Sequence, residues 1–482
     1  MFLKKIFFSF ILLTLFCKQS LAQNHGSLSL EQYLNQVSNK NLTLEKTNLN
    51  TQSFELLKQK AKLVNAIKLY GFSEYSNLQQ NNALQFFRYK SVTNQNNRVG
   101  FMQDSLYGVS TNVYLSLNNV KYNGFNNNNF GPLAIKNSQT IPVIEFKVPL
   151  WQNFKGVANQ ARFDSAFNEN EAQKLLAQSL SLNEIIDAEK SFWNLVYAQK
   201  ALEIQSRALA NAQKIFNYLA KKEQMNLAEK SDVLQAKTMV ETKKLAVKQA
   251  ENFLKITARN FNKKRNLESD IVKESLVAFD VQKLQNLKFT SVKRSDRLDV
   301  KSQHALMNAS IAQAKIEEEN NKPSLNLYTS YSVNQVQPNS IDALYSSLHH
   351  NAPAKKIGVE FNMPINLDLS ADIRHGARIK ASAEKTTYKE KLLQQEIDWQ
   401  NLQQNLVDYQ ENLKLAKQIE QAQKAKLENE RDLLRKGRTS TYQVLVFEQD
   451  YSNSELSTQQ IAQKLHELIA EQKLYQPEKF TQ

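Results

Sequence analysis

The feature that most limits the possible folds of this chain is a long tract without glycine or proline, residues 157–322. Residues 377–436 and 438–476 lack them as well. Glycine and proline are the residues that most often interrupt regular structure. The sequence therefore predicts long helices, and residues 157–222 as one helix would extend over roughly 100 Å at 1.5 Å per residue.

Apolar residues recur every seven positions within these tracts. The recurring positions are Ala188, Leu195, Leu202, Leu209 and Phe216; Val233, Val240, Val247, Leu254 and Phe261; and Leu392, Trp399, Leu406 and Leu413. This period, with charged neighbours, is typical of helices that pack as coiled coils.

The N-terminus carries the pattern of an export signal. Lys4 and Lys5 precede an apolar run over residues 6–16, and small residues at Ser20 and Ala22 predict a signal peptide over residues 1–22. The single cysteine, Cys17, lies inside that segment, so the mature chain would have no thiol. Lipid attachment at Cys17 is the alternative, and the bulky residue before it fits that pattern poorly.

Composition argues against nucleic acid and against catalysis. The formal charge of +15 is spread among glutamate and glutamine along the helical tracts, which is typical of solvated helix faces. The histidines show no metal-ligand spacing, and no glycine-rich phosphate loop is present. They are His25, His304, His349, His350, His375 and His466. We therefore expect no enzyme, no catalytic residue, no metal and no cofactor.

Four segments alternate between apolar and polar residues, as strands with two different faces do. They lie near residues 67–80, 141–151, 323–336 and 356–369. Such strands suit a soluble sandwich, but strands of about ten residues in an exported protein also suit an outer-membrane barrel.

An internal repeat relates these strands in pairs. Residues 42–75 align without a gap onto residues 298–331 at an offset of 256, and IEFKVPLW (144–151) returns as VEFNMPIN (359–366) at an offset of 215. The pattern predicts two structural repeats, 23–265 and 266–482, each with a helix, a strand, a loop, a strand and long helices. The change in offset indicates an insertion in the first repeat.

The insertion lies between residues 81 and 140 and is rich in asparagine. This composition favours a long, exposed outer loop, with a hairpin of its own within residues 107–119. The count of barrel strands stays at four per chain. Four strands cannot close a barrel, and open strand edges are costly in hydrocarbon, so several chains would have to share one barrel.

The sequence resembles the TolC family of outer-membrane efflux and secretion channels over essentially the whole mature chain. The resemblance is carried by the order of several motifs. They are SLEQYL (29–34) with NKNLTLE (39–45), EFKVPLW (145–151), RSDRLDV (294–300), NKPSLNLYTSYS (321–332), EFNMPIN (360–366) and KGRTSTYQVLVFEQD (436–450). Leu42 stands where the family usually has proline.

The resemblance implies a mainly α fold with β: long antiparallel coiled-coil helices forming a periplasmic tunnel, and four strands per chain in a transmembrane β-barrel shared by a homotrimer. The implied function is a passive outer-membrane channel of a tripartite efflux or type I secretion system. Its partners would be a periplasmic adaptor, an inner-membrane pump of the RND, MFS or ABC type, and outer-membrane lipid. The alternative is a periplasmic coiled-coil scaffold or adhesin without a pore.

The resemblance also implies three groups of site residues. The barrel-to-tunnel swivel would comprise Pro149, Gly156, Pro364 and Gly376; the adaptor-docking turns would comprise Asn226, Leu227, Gly437 and Thr439; and the gate would comprise Asp232, Arg435, Arg438 and Gln443. Asp232 matches a family position at the aperture, whereas Gln443 and Val446 replace acidic residues that are common in the second repeat. Arg435 and Arg438 would either pair with Asp232 across neighbouring helices or only cap a helix end.

Overall fold

The computed structural model describes residues 27–79, 89–124, 135–289, 293, 295–349 and 352–476. The signal-peptide prediction, Cys17 and His25 lie outside these residues. The helices are α1 (Leu30–Lys40), α2 (Leu42–Leu57), α3 (Val157–Gln224), α4 (Lys230–Lys264), α5 (Val281–Gln285), α6 (Leu298–Asn320), α7 (Ser340–His349), α8 (Leu367–Arg435) and α9 (Thr441–Glu471). The strands are β1 (Lys68–Leu78), β2 (Ser91–Asp104), β3 (Ser110–Asn123), β4 (Lys136–Pro149), β5 (Ser324–Val333), β6 (Gln335–Gln337) and β7 (Pro353–Asn362).

The chain divides into two compact units, and each draws on both predicted repeats. Unit 1 comprises residues 1–46, 181–294 and 399–482, and unit 2 comprises residues 47–180 and 295–398. The β-strands all lie in unit 2. The division into two sequence repeats remains a prediction.

The predicted long helices are confirmed. Helix α3 has 68 residues and α8 has 69, as expected of tracts that contain almost no helix-breaking residue. Leu195, Val240, Leu406 and Leu413 of the seven-residue pattern are buried. No helix in the described part of the chain is long and apolar enough to cross a membrane.

The core of unit 1 is built around aromatic side chains. Tyr33 of α1 stacks on Phe261 of α4 with ring centroids 4.1 Å apart, and its hydroxyl donates to the Phe261 carbonyl at 3.1 Å. Trp193 of α3 stacks on His466 of α9 at 3.6 Å. Burial among these rings lowers the pKa of His466 to about 4, and the positive charge of Lys283 acts in the same direction. The imidazole is therefore neutral at pH 7.

The strands of unit 2 form one antiparallel sheet in the order β1-β2-β3-β4-β5-β7, with the short β6 beside β4. The prediction of four strands per chain was wrong, because the asparagine-rich insertion contributes β2 and β3 to the sheet. The insertion does add a hairpin, as predicted, but it is larger than residues 107–119: these residues include the turn and most of β3, and the partner strand is β2. The FNNNNF segment of the insertion, residues 125–130, lies outside the described residues. The predicted strand near 356–369 ends at Asn362, and α8 begins at Leu367.

The register brings most apolar positions of β3, β5 and β7 to the same side, together with Phe101 of β2 and Ile144 of β4; Phe72 of β1 is an exception. Paired residues in a sheet point to the same face. Phe101 pairs with Val113, Val113 with Ile144, and Leu327 with Val359. We call this side the apolar face and the other the polar face. Ile357 and Val359 on the apolar face are 80% and 66% exposed in the single chain, so the described residues leave this part of the face uncovered. Helix α7 covers the face farther along, where the Thr140 hydroxyl donates to the Ser340 carbonyl.

Candidate functional site

A hydrogen-bonded network on the polar face centres on Glu145, the glutamate of the first repeated strand motif. The Glu145 carboxylate accepts from the Tyr114 hydroxyl at 2.9 Å, the Tyr328 hydroxyl at 3.0 Å and the Asn112 amide at 3.2 Å. The Tyr70 hydroxyl in turn donates to the Asn112 side-chain oxygen at 2.9 Å. The network therefore ties β1, β3, β4 and β5 together through polar groups.

The repeated glutamate, Glu360, is also paired on this face. Lys147 Nζ lies 2.6 Å from the Glu360 carboxylate. Arg98 of β2 lies over the rings of Phe72 and Tyr114, 5.9 Å from each centroid. The polar face thus presents charges of both signs, which suits a water-filled surface more than a dry core. Sequence reasoning missed Arg98, Asn112 and Tyr114, because it placed their segment in an outer loop and did not count the hairpin within it among the barrel strands.

The first strand-to-helix junction is a tight turn in which Gly156 is buried. Pro149 is the last residue of β4 and pairs with Asn326, which agrees with a proline where strand pairing ends. Gly156 has φ of +76°, and a Cβ atom there would lie 1.8 Å from the carbonyl oxygen of Leu106. Only glycine fits this contact. The Asn153 side-chain oxygen accepts from the backbone N–H of Ala158 at 2.8 Å and so caps the first turn of α3.

The second junction differs. Pro364 is exposed and lies between β7 and α8, where the chain leaves the sheet. Gly376 lies inside α8, with no atom within 4 Å of the position of an added Cβ. The backbone at Gly376 continues an ordinary helix. The roles of Pro149, Gly156, Pro364 and Gly376 in a swivel remain predictions.

The two predicted interhelical turns have the same backbone design. Asn226 follows α3 with φ of +57°, and Gly437 follows α8 with φ of +69°. Leu227 N–H donates to the Lys222 carbonyl at 2.8 Å, and Arg438 N–H donates to the Leu433 carbonyl at 2.9 Å. Both helices thus end in a Schellman motif with a left-handed residue. Asparagine and glycine are the residues that adopt this left-handed backbone most readily.

Side chains at these turns are largely exposed. Leu227 is 68% exposed, and Asp232, Arg435 and Arg438 are exposed as well. The ion pair shown at the second turn joins Lys436 and Asp432; within the described single chain, the ion pairs include none between Asp232 and either arginine. The second turn is also closed by side chains: the Thr439 hydroxyl bonds to Glu430, and the Ser440 hydroxyl accepts from the half-buried Gln443 N–H at 3.3 Å. The docking and gating roles remain predictions.

Beneath the turns, the ends of four helices of unit 1 pack together. One cluster joins Leu219 of α3, Ala236 of α4 and Leu445 of α9. A second joins Leu427 of α8 to Val444 and Phe447 of α9. Helix α9 contributes side chains to both clusters. A change in the conformation of one turn can therefore alter the packing beneath the other.

Buried charges lie farther along these helices. Glu448 of α9 is 8% exposed and accepts from Arg431 Nε at 3.1 Å and from the Asn211 amide at 3.3 Å. Arg207 pairs in the same way with Glu455. Lys243 is also buried, and burial lowers its pKa. Polar groups inside a coiled coil fix the register of its helices at a cost in stability. Sequence reasoning missed these residues, whose charged side chains resemble those of exposed helix positions.

The described residues contain no group of three or more histidine, cysteine, aspartate or glutamate side chains that could hold a metal ion. Among the described histidines, His304 contacts Tyr388, His349 contacts Tyr345 and His466 contacts Trp193.

A scan of protein-family models and a comparison with curated proteins find no match to this sequence. Solved structures do match it. The outer membrane protein VceC of Vibrio cholerae is 13% identical, with a TM-score of 0.64 over 92% of this chain and 95% of that one. The outer-membrane channel OprN is 14% identical, with a TM-score of 0.63 over 92% and 89%. The CmeC outer membrane channel of Campylobacter jejuni is 14% identical, with a TM-score of 0.61 over 92% and 85%.

The chain therefore has the fold of the TolC-like outer-membrane channel proteins. Coverage of nearly the full length of both chains means that helices and strands match together. This confirms the fold that the sequence resemblance implied, long helices combined with an antiparallel sheet, apart from the number of strands.

Proposed function

We propose that this protein is a passive outer-membrane channel, which works as a homotrimer and carries substrates from an inner-membrane pump through a periplasmic tunnel to the exterior. The observation that carries the proposal is the two-sided sheet. An apolar face with exposed Phe101 and Val359 side chains suits lipid, and a polar face with Glu145, Arg98 and Lys147 suits a water-filled passage. The likeness in fold to VceC, OprN and CmeC supports the same proposal.

A shared barrel explains the open edges of the sheet. Strands β1 and β7 form the two ends of the strand order, and each has a second edge that pairs with no strand among the described residues. Unpaired backbone groups cannot remain open in hydrocarbon, where each costs several kcal/mol. Pairing with further copies of the chain satisfies both edges.

The helices also expose apolar side chains that a second copy would cover. Leu49 and Leu56 of α2 lie seven residues apart and are 58% and 72% exposed. Leu234, Leu245 and Ile256 of α4 are also exposed. Residues at such spacings form a stripe along one side of a helix. We infer that these stripes are contacts between copies in the tunnel.

In this proposal, the turns at Asn226 and Gly437 are the periplasmic end of the channel. They would bind the adaptor protein, and the side chains of Asp232, Arg435, Arg438 and Gln443 would restrict the pore until the adaptor is bound. The partner system is a tripartite efflux or type I secretion system. No catalytic step is assigned to any residue.

The experiment that tests the proposal has two parts. The protein should fractionate with outer membranes, and heated and unheated samples should migrate differently on a detergent gel, because a closed barrel resists detergent. Purified protein should then give discrete conductance steps in planar bilayers. A folded monomer without conductance would overturn the proposal and favour the pore-free scaffold or adhesin.

A further inference from the structure

The inserted hairpin β2–β3 is part of the sheet along its full length. Every residue of β1 has a partner in β2, from Lys68 with Met102 to Leu78 with Val92. On the other side, β3 pairs with β4 from Ser110 with Lys147 to Lys121 with Lys136. A hairpin that only decorated a four-stranded sheet would leave β1 paired with β4. Here β1 and β4 are separated by two complete strands.

The side chains of the hairpin follow both faces of the sheet. Val99, Phe101, Val113, Leu115 and Leu117 continue the apolar face. On the polar face, Asn112 and Tyr114 donate to Glu145. The hairpin thus has the same lipid side and water side as the strands that the repeat predicted.

The turn of the hairpin is also built into the first strand-to-helix junction. The Asn159 side-chain amide donates to the Ser105 carbonyl at 2.8 Å. A Cβ atom on Gly108, which has φ of +87°, would lie 2.7 Å from the Asn153 carbonyl oxygen. Gly156 approaches Leu106 still more closely. The second junction has no inserted hairpin, and this explains why Gly376 needs no such contact.

An even number of strands allows copies of the sheet to join in a ring. The six strands on the path from β1 to β7 alternate in direction, so β1 and β7 run antiparallel. Consequently β7 of one copy can pair antiparallel with β1 of the next copy, by the same pattern as every other pair in the sheet. Three copies joined in this way contain eighteen strands.

We propose that β7 of one copy pairs with β1 of the next, and that three copies close a barrel of eighteen strands instead of the twelve that the resemblance implies. The inference rests on the proposed function and concerns the wall of the same channel. Barrel diameter grows roughly linearly with strand number, so the bore is about 1.5 times that of a twelve-stranded barrel. The outer passage therefore admits solutes that a twelve-stranded wall excludes.

The internal repeat gives the register between copies. Val143 of β4 pairs with Ser332 of β5. The repeat offsets of 215 and 256 map Val143 onto Gly358 and Ser332 onto Ser76. Gly358 of one copy is thus expected to lie opposite Ser76 of the next, on the polar face. An added Cβ at Gly358 meets nothing within 4 Å, so a cysteine fits there.

Disulfide cross-linking tests this pairing. In a Cys17→Ser background, Gly358→Cys is combined in turn with Glu74→Cys, Ser76→Cys and Leu78→Cys, which all lie on the polar face. We expect cross-linked dimers and trimers, most abundant with Ser76→Cys. The matched control combines Gly358→Cys with Asn77→Cys, whose side chain points to the apolar face. The pairing would be overturned if none of the three combinations gave cross-linked dimers and trimers, or if the control gave them in equal amount.

A second measurement tests whether the hairpin forms part of the wall. Val113→Cys on the apolar face and Asn118→Cys on the polar face are treated with a water-soluble maleimide in lipid vesicles. We expect the maleimide to label Asn118→Cys, which faces water, and not Val113→Cys, which faces lipid. Equal labelling of both would remove the hairpin from the wall and return the barrel to twelve strands. If conductance persists in that case, the channel function stands and only the eighteen-stranded wall fails.

Discussion

Replacing Gly156 by alanine would place a methyl group where the Leu106 carbonyl oxygen already lies. The added Cβ would be 1.8 Å from that oxygen, and the backbone φ of +76° is unfavourable for any residue with a Cβ. A left-handed conformation costs about 1–2 kcal/mol in a residue other than glycine. Overpacking a closed contact costs about 1–3 kcal/mol more. We therefore expect Gly156→Ala to lower the free energy of unfolding of unit 2 by about 2–5 kcal/mol.

Gly376 provides the matched control, because it follows the second copy of the same strand motif. It lies inside α8 with open space around it, so Gly376→Ala should stabilise the helix by about 0.5–1 kcal/mol. Gly108→Ala, on the other side of the first contact, should destabilise in the same direction as Gly156→Ala, since its Cβ would lie 2.7 Å from Asn153.

Guanidinium unfolding of the purified proteins in detergent, followed by circular dichroism, measures these differences. We expect Gly156→Ala to lower the free energy of unfolding and Gly376→Ala to raise it. If Gly156→Ala and Gly376→Ala unfold at the same denaturant concentration, then the hairpin turn does not bear on the junction as the structure indicates, and the reasoning is refuted.

Three further predictions concern the gate, the topology and pH. Asp232→Ala combined with Arg438→Ala should raise single-channel conductance and sensitise cells to large antibiotics while trimers persist; unchanged conductance would remove both residues from the gate. Proteinase K added to intact cells should cleave within residues 79–90 or 124–135 and spare the turn at 105–109, at the opposite end of β2 and β3; the reverse pattern would invert the topology. His466 has a folded pKa of about 4 against 6.5 unperturbed, so the unfolded chain binds more protons between these values and stability should fall, by at most about 3 kcal/mol, as pH drops through this window.

The control for the pH prediction is His466→Phe, which keeps a ring beside Trp193 and removes the titrating group. Its stability should depend less on pH between 6.5 and 4 than that of the native protein. An equally steep dependence in both proteins would place the effect on other groups.

Local sequence determined the long helices and their turns. A tract without glycine or proline has no reason to interrupt a helix, and an apolar residue every seven positions provides a packing side. The residue types at Asn226 and Gly437 also suit the left-handed backbone of the two turns, because few other residues adopt this conformation readily. These features depend on neighbours along the chain, so one sequence was enough to predict them.

Only the tertiary structure decided the number of strands. Asparagine has a low intrinsic strand propensity, so the sequence predicts an exposed loop over residues 81–140 with only a short hairpin within it. In the sheet, the Asn112 side chain forms hydrogen bonds with Tyr70 and Glu145, which come from distant parts of the chain. The hydrated polar face tolerates asparagine there, while Val113 and Leu115 face the other way.

The difference between Gly156 and Gly376 was likewise invisible in the repeated motif. Both follow a Glu-Phe-x-apolar-Pro strand, yet only Gly156 meets the turn of an inserted hairpin. The same holds for Glu448, whose charge resembles that of an exposed helix residue until Arg431 and Asn211 are seen to enclose it. Periodicity and turn chemistry are local, whereas burial, close approach and the satisfaction of polar groups depend on which distant segments meet.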